Sequence, residues 1–147
     1  MKIPLLIMRD IISKNKKRIF AKLKVHLSCR KPLIWDYITF LVDTGASKTC
    51  ISQTDAEILE IPFKSLKEVE AENRPIGVGG PVDAYYLRNI TLRCKSDNKL
   101  FSTILKEIYV LSDTPTETMS LLGTDFLDDN DLSLYFSPKK DKAYFER

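Results

Sequence analysis

The chain has 147 residues, 44% hydrophobic and 29% charged, which fits one soluble globular domain able to bury roughly 70% of its unfolded surface. Its net charge of +3 and pI near 8.7 are too mild to imply nucleic acid, which needs a concentrated basic face. The three cysteines, Cys29, Cys50 and Cys94, lie far apart without a CxxC pattern, so they read as small reduced core residues and argue against a disulfide framework or a zinc site.

The N-terminal stretch MKIPLLIMRD carries a short apolar run, Ile3 to Met8, cut off by Arg9 and Asp10. That run is too short for a signal peptide or a membrane span, so the expected compartment is the cytosol, with no membrane partner. The run KNKKR, Lys14 to Arg18, reads as a solvated connection before a strand, because a few cations without nearby aromatics make a poor nucleic-acid footprint. Ile19, Ala21, Leu23, Val25 and Leu27 alternate with Phe20, Lys22, Lys24, His26 and Ser28, a period of two that predicts a long half-buried strand. His26, the chain's single histidine, falls on the polar side of that strand and is expected at the surface.

Lys31-Pro32 breaks the pattern, and Trp35 to Val42 predicts a second strand. Thr54 to Glu60 predicts a short helix, with Thr54 as cap, Glu57 at the capping-box position and Pro62 as the stop. Strand character returns at Glu68 and breaks at Pro75-Ile-Gly-Val-Gly-Gly-Pro81, a hairpin tip. Tyr86 to Cys94 and Phe101 to Leu111 are strands around an Asp97-Asn98 turn, and Ser112 to Thr118 is a loop. Leu121 to Leu127 is a strand end turning into a helical piece, while Leu132 to Phe136 and Ala143 to Phe145 flank Ser137 to Asp141 as a closing hairpin. Many short strands with only two short helices predict an all-β barrel or sandwich in a single domain, 1–147.

The candidate chemistry lies in Phe40-Leu-Val-Asp-Thr-Gly-Ala-Ser47, where an apolar strand delivers an acid. Read locally, Asp43-Thr44-Gly45 is a strand-to-turn junction. Leu41, Val42 and Ala46 place the carboxylate among apolar neighbours, where it needs donors or a retained proton. Thr44, Ser47 and Thr49 offer hydroxyls, and Gly45 offers an N–H that can approach closely. A buried acid of this kind suits general acid/base work. One carboxylate cannot be acid and base in the same step, so a second is required.

FLVDTGAS, the glycine-rich Ile76-Gly-Val-Gly-Gly80, and Leu121-Leu-Gly-Thr-Asp-Phe-Leu127 stand in the order and spacing of retropepsin-like aspartic proteases, which this chain resembles over Phe20 to Phe136. The resemblance implies a closed, mostly antiparallel β-barrel with one Asp-Thr-Gly loop per chain. It implies a homodimer in which Asp43 meets its counterpart, a peptide or protein substrate, and no metal or other cofactor. Thr44 would cross-link the two loops, Gly45 would offer its N–H to the carboxylates, Ala46 belongs to the same active loop, and Ser47 would steady the outer oxygen of the acid. Ile76, Gly77, Val78, Gly79 and Gly80 would form a mobile flap, and Leu121, Leu122 and Gly123 would pack behind the active loop.

Asp113-Thr114 is followed by Pro115 and Asp125 by Phe126, so the chain carries no second Asp-Thr-Gly and a two-lobed plan is excluded. The N-terminal residues 1–18 and the C-terminal hairpin 137–147 lie outside the resemblance and are candidate dimer-interface elements. The expected function is that of an aspartic endopeptidase; the alternative is a dimeric module of the same fold that binds peptides or assembles complexes with little or no proteolysis. A basic β-barrel for nucleic acid would rest on KNKKR and the pI alone.

Overall fold

In this computed structural model, which describes residues 1–13, 16–77 and 79–147, strand alternation sets the architecture. Strands β1 (Lys2–Pro4), β2 (Leu6–Ser13), β3 (Lys16–Cys29), β4 (Ile34–Val42) and β5 (Cys50–Ile51) precede helix α1 (Gln53–Ile58). They are followed by β6 (Ile76–Gly77), β7 (Gly80–Pro81), β8 (Ala84–Lys95), β9 (Leu100–Leu111), β10 (Leu121–Leu122), helix α2 (Thr124–Asp129), β11 (Ser133–Ser137) and β12 (Lys142–Glu146).

Along β3, Ala21, Leu23, Val25 and Leu27 are buried, and Lys22, Lys24 and His26 lie on the opposite face. The strand pairs β2 on one side, β4 along most of its length, and β8 near its end. Because β3 also meets β8, the order β3-β4-β10-β5-β9-β8 closes on itself as a six-stranded barrel, with β2 laid against its outside edge. The pairings are mostly antiparallel, but β10 runs parallel to β4 and β5 runs parallel to β9. In β8, Asn89 takes φ 56°, and its apolar positions change parity there: Leu87 before it and Ile90 after it are both fully buried. A single left-handed residue, which Asn tolerates, lets one long strand follow the curve of the barrel.

A separate sheet has the order β1-β12-β11, so strands near the two ends of the chain are hydrogen-bonded to one another, Ile3 opposite Phe145. Both of these side chains are fully buried and join Phe40, Leu122 and Phe126 in the main core. A smaller cluster of Cys50, Val69, Ala84 and Leu111 sits beside it. All three cysteines are buried and free. No helix among the described residues is long and apolar enough to cross a membrane.

The structure alters three local expectations. Helix α1 is capped by Ser52 rather than Thr54: the Asp55 N–H donates to Ser52 Oγ at 3.2 Å, while the Thr54 hydroxyl donates to the Thr116 carbonyl at 3.2 Å. Glu57 does not close a capping box but accepts from Gln53 Nε2 at 3.1 Å, and the helix stops at Ile58, before Glu60 at φ 56°. The strand expected from Glu68 is a single bridge, Glu68 to Tyr85, followed by a short 3-10 turn at Ala71–Asn73. Its backbone still lies along β8, with the Val69 N–H on the Ala84 carbonyl and the Tyr86 N–H on the Lys67 carbonyl, both at 2.8 Å.

Phe40, with no exposed surface, packs inside the barrel three residues before Asp43. Phe40→Ala is expected to cost about 3–5 kcal/mol of stability through the cavity it leaves, measured by urea unfolding.

Candidate active site

Asp43 leaves the end of β4 at the barrel rim. The Leu41 N–H donates to the Ser120 carbonyl at 2.9 Å and the Asp43 N–H donates to the Leu122 carbonyl at 3.0 Å, so β10 carries the acid's backbone to its position. The chain then turns sharply, with the Ala46 N–H on the Asp43 carbonyl at 3.1 Å. The Gly45 N–H donates to Asp43 Oδ1 at 2.9 Å. A Cβ on Gly45 would stand 3.1 Å from that oxygen, so a larger residue would crowd the donor off the carboxylate.

The acid is not in the core. Within one chain Asp43 is half-buried, and Thr44, Gly45 and Ser47 are exposed. The physical reason is that β4 ends where the barrel ends, so the loop projects beyond the apolar interior. Among the described residues the donor that reaches the carboxylate is the Gly45 N–H; the Thr49 hydroxyl, expected as another, points elsewhere.

Thr49 is fully buried and donates twice to Asp125: its N–H to Oδ2 at 2.9 Å and its hydroxyl to Oδ1 at 2.7 Å. Asp125 Oδ1 also accepts the Phe126 N–H at 2.8 Å, at the start of α2. The Thr49 oxygen in turn accepts the Gly123 N–H at 3.0 Å, and the Thr124 N–H reaches the Ala46 carbonyl at 2.8 Å. Asp125 therefore clamps the exit of the Asp43 loop to β10 and α2. Gly123 has to be glycine because its backbone passes so close to the loop: a Cβ there would lie 2.7 Å from both the Ala46 carbonyl oxygen and the Lys48 carbonyl carbon. Leu122 is buried in the core and Leu121 is half-buried, paired with Leu41 and Cys50.

Sequence reasoning passed over Asp125 as a catalytic acid and did not see it as the clamp. The legible signal was an acid two residues after Gly123 at an apolar strand-to-helix junction, where only a satisfied carboxylate is tolerated. A second missed group is Ser120, whose Oγ accepts the Ser52 N–H at 3.0 Å and donates to Asp55 Oδ2 at 2.5 Å, tying α1 to β10. Burial pushes the Cys50 thiol up to about 11, a Leu121 backbone hydrogen bond opposes this, and the Asp125 and Asp43 carboxylates add to it. That thiol is inert at neutral pH.

Strands β6 and β7 form the glycine-rich hairpin, Ile76 opposite Pro81 and Gly77 opposite Gly80. Val78 lies outside the described residues, Gly79 is exposed, and Ile76 is 82% exposed. Gly80 takes φ 109°, which a side chain would strain. The hairpin stalk is held by Arg74, paired with Asp83 at 3.3 Å and Glu68 at 3.7 Å. Further down, the Tyr86 hydroxyl donates to Glu70 Oε2 at 2.5 Å and Lys67 Nζ lies 3.2 Å from Oε1. The Tyr86 hydrogen bond holds the Glu70 carboxyl at about 2, with Lys67 assisting, and the same bond raises Tyr86 to about 12.

The profile of the family described as "gag-polyprotein putative aspartyl protease" matches residues 36–129, and the chain belongs to that family. The fold agrees. The structure of EIAV protease bound to an inhibitor is 18% identical, with TM-score 0.52, covering 86% of this chain and all of that one. A retropepsin-like aspartic protease from Rickettsia conorii is 20% identical, with TM-score 0.52, covering 96% of this chain and 92% of that one. No curated protein matches the sequence. Family and fold are those of retropepsin-like aspartic proteases.

Thr49→Val is expected to lower stability by about 1–3 kcal/mol, since it strands the Gly123 N–H and removes one of the two donors to Asp125 Oδ1, whereas Thr49→Ser retains most of the stability; thermal unfolding measures both. Tyr86→Phe removes the principal stabiliser of ionised Glu70. The Glu70 carboxyl should then titrate nearer 4.5 than 2 by carboxyl-carbon NMR. Because the folded-state value is depressed, the stabilisation from this pair is present above the unfolded value and fades as pH falls toward 2.

Proposed function

We propose that the chain is an aspartic endopeptidase that works as a homodimer, each subunit lending Asp43 to a shared centre. The observation that carries this reading is a half-exposed Asp43 at the barrel rim, while Asp125, the acid that clamps the same loop, has both oxygens engaged by Thr49 and the Phe126 N–H. The second carboxylate then has to come from another copy. Two carboxylates about 3 Å apart cannot both remain charged, so the pair holds one proton and titrates as a unit.

Chemistry follows from that sharing. The ionised member takes a proton from a water lying between the acids as its oxygen attacks the peptide carbonyl carbon. The protonated member hydrogen-bonds the carbonyl oxygen and stabilises the charge that develops there. Proton return to the amide nitrogen releases the amine, and the acid product leaves with the added oxygen. Gly45 offers its N–H to the carboxylate; in this reading Thr44 cross-links the two loops and Ser47 steadies the outer oxygen of the acid. Leu121, Leu122 and Gly123 serve as scaffold. The hairpin from Ile76 to Gly80 acts as the flap that covers an extended peptide and sheds bulk water. Strands β1, β12 and β11 enter the dimer as a sheet already paired within each subunit.

Purified protein should cleave members of a diverse peptide library between pH 4 and 7, and a statine-type transition-state mimic should block it. Asp43→Asn should lower kcat by at least a thousandfold while peptide still binds. A variant that binds and a wild type that never cleaves would transfer the reading to a binding or assembly module. A single-subunit mass in sedimentation, even with the mimic bound, would remove the shared centre altogether.

A further inference from the structure

We propose that the outer face of β3, β4 and β8, away from Asp43, is a binding surface for single-stranded nucleic acid. The sequence argued against such a partner because KNKKR has no aromatic near it; Lys14 and Asn15 of that run lie outside the described residues. The fold supplies what the linear order lacks. Cross-strand pairing sets His26 against Tyr37 of β4 and Arg93 of β8, and Ser28 against Trp35. The His26 ring packs edge-on between Trp35 at 4.4 Å and Tyr37 at 5.1 Å. Lys24 lies over the Tyr37 ring at 5.0 Å and Arg93 near the Trp35 ring at 5.9 Å.

Despite these contacts Trp35 is 73% exposed and Tyr37 61% exposed, unusual for rings of this size on a barrel wall. They line a groove of about 1120 Å³ together with Leu6, Leu100, Lys22 and Lys95. Among the described residues none of Lys22, Lys24, Arg93 and Lys95 is in a salt bridge. Asp36 is the acid on the groove, and its Oδ1 accepts the Tyr37 N–H at 2.7 Å. Lys22, Lys24 and His26, two residues apart on one face of a strand, repeat about every 6.8 Å, close to the step between phosphates in an extended single strand.

Charge complementarity calls for a polyanion, and the exposed rings decide which. A carboxylate-rich peptide would answer the cations but leave Trp35 and Tyr37 wet. Nucleobases offer a flat π-face to each ring while their phosphates reach the lysines, and in a duplex those faces are already stacked away.

Trp35 is the only tryptophan of the chain, so its fluorescence reports this surface alone. Titration with an oligothymidylate of about twelve nucleotides should quench it, with affinity falling as salt rises at a log–log slope of about −3 for four neutralised phosphates. Tyr37→Ala should weaken binding roughly tenfold, and Lys24→Glu with Lys95→Glu should abolish it, both with unchanged melting temperature. Lys64→Glu with Lys106→Glu, exposed lysines outside the groove, should bind as wild type. Asp43→Asn should bind as wild type as well, so failure here and failure of the protease reading are separable. Absence of quenching at low salt, equal affinity for duplex DNA or for polyglutamate, or equal weakening by the Lys64 and Lys106 reversals would each overturn the proposal.

Discussion

The carboxylate of Asp125 is the interaction on which the position of Asp43 depends. It takes two hydrogen bonds from Thr49 and one from the Phe126 N–H, so its charge is spread over three donors from two segments that are far apart in the chain. Charge-assisted bonds of this kind are stronger than neutral ones, and removing a partner leaves a costly orphan. The clamp joins the loop's exit to the same strand, β10, that already carries its entrance through Leu41 and Asp43. Gly123 makes the close approach feasible, since the loop backbone passes where a Cβ would otherwise be. Rigid support from behind is what a carboxylate needs if it is to meet another acid at a defined distance.

The open side of the same loop has a different character. Asp43 is half-buried and its neighbours Thr44, Gly45 and Ser47 are exposed, so a lone subunit solvates the acid. In the proposed dimer, joining two such rims would withdraw both carboxylates from water and force them to share a proton, which is how association would switch on acid/base chemistry. In the same proposal the glycine hairpin is the flap. Its base is fixed by Arg74 and by the Glu70–Tyr86 bond, while Ile76 of β6 is exposed.

Strand β3 shows how one stretch serves two surfaces. Its odd positions from Ala21 to Leu27 fill the barrel, and its even positions set Lys22, Lys24 and His26 beside the exposed rings of β4. The groove they form lies on the barrel wall, and the Asp43 loop on its rim.

Most of the strands, the Asp97-Asn98 turn, both hairpins and the Asp43 motif were legible in the sequence, because alternation and turn chemistry act between residues a few positions apart. Thr54 as cap and the strand from Glu68 were misread for the complementary reason: Ser52 is preferred through its tie to Ser120, and the Glu68 segment is held by the edge of β8. The depth of Asp43 was misread too, since Leu41 and Val42 look like core until β4 is seen to end at the rim. Pattern along the chain thus established an all-β fold and an acid at a strand end. The Asp125 clamp, which spans 76 residues, and the cation–aromatic groove, which draws on three strands, exist only once folding brings distant positions together. No local period encodes which side chains will converge across a closed sheet, because that is set by register and curvature summed over the whole barrel.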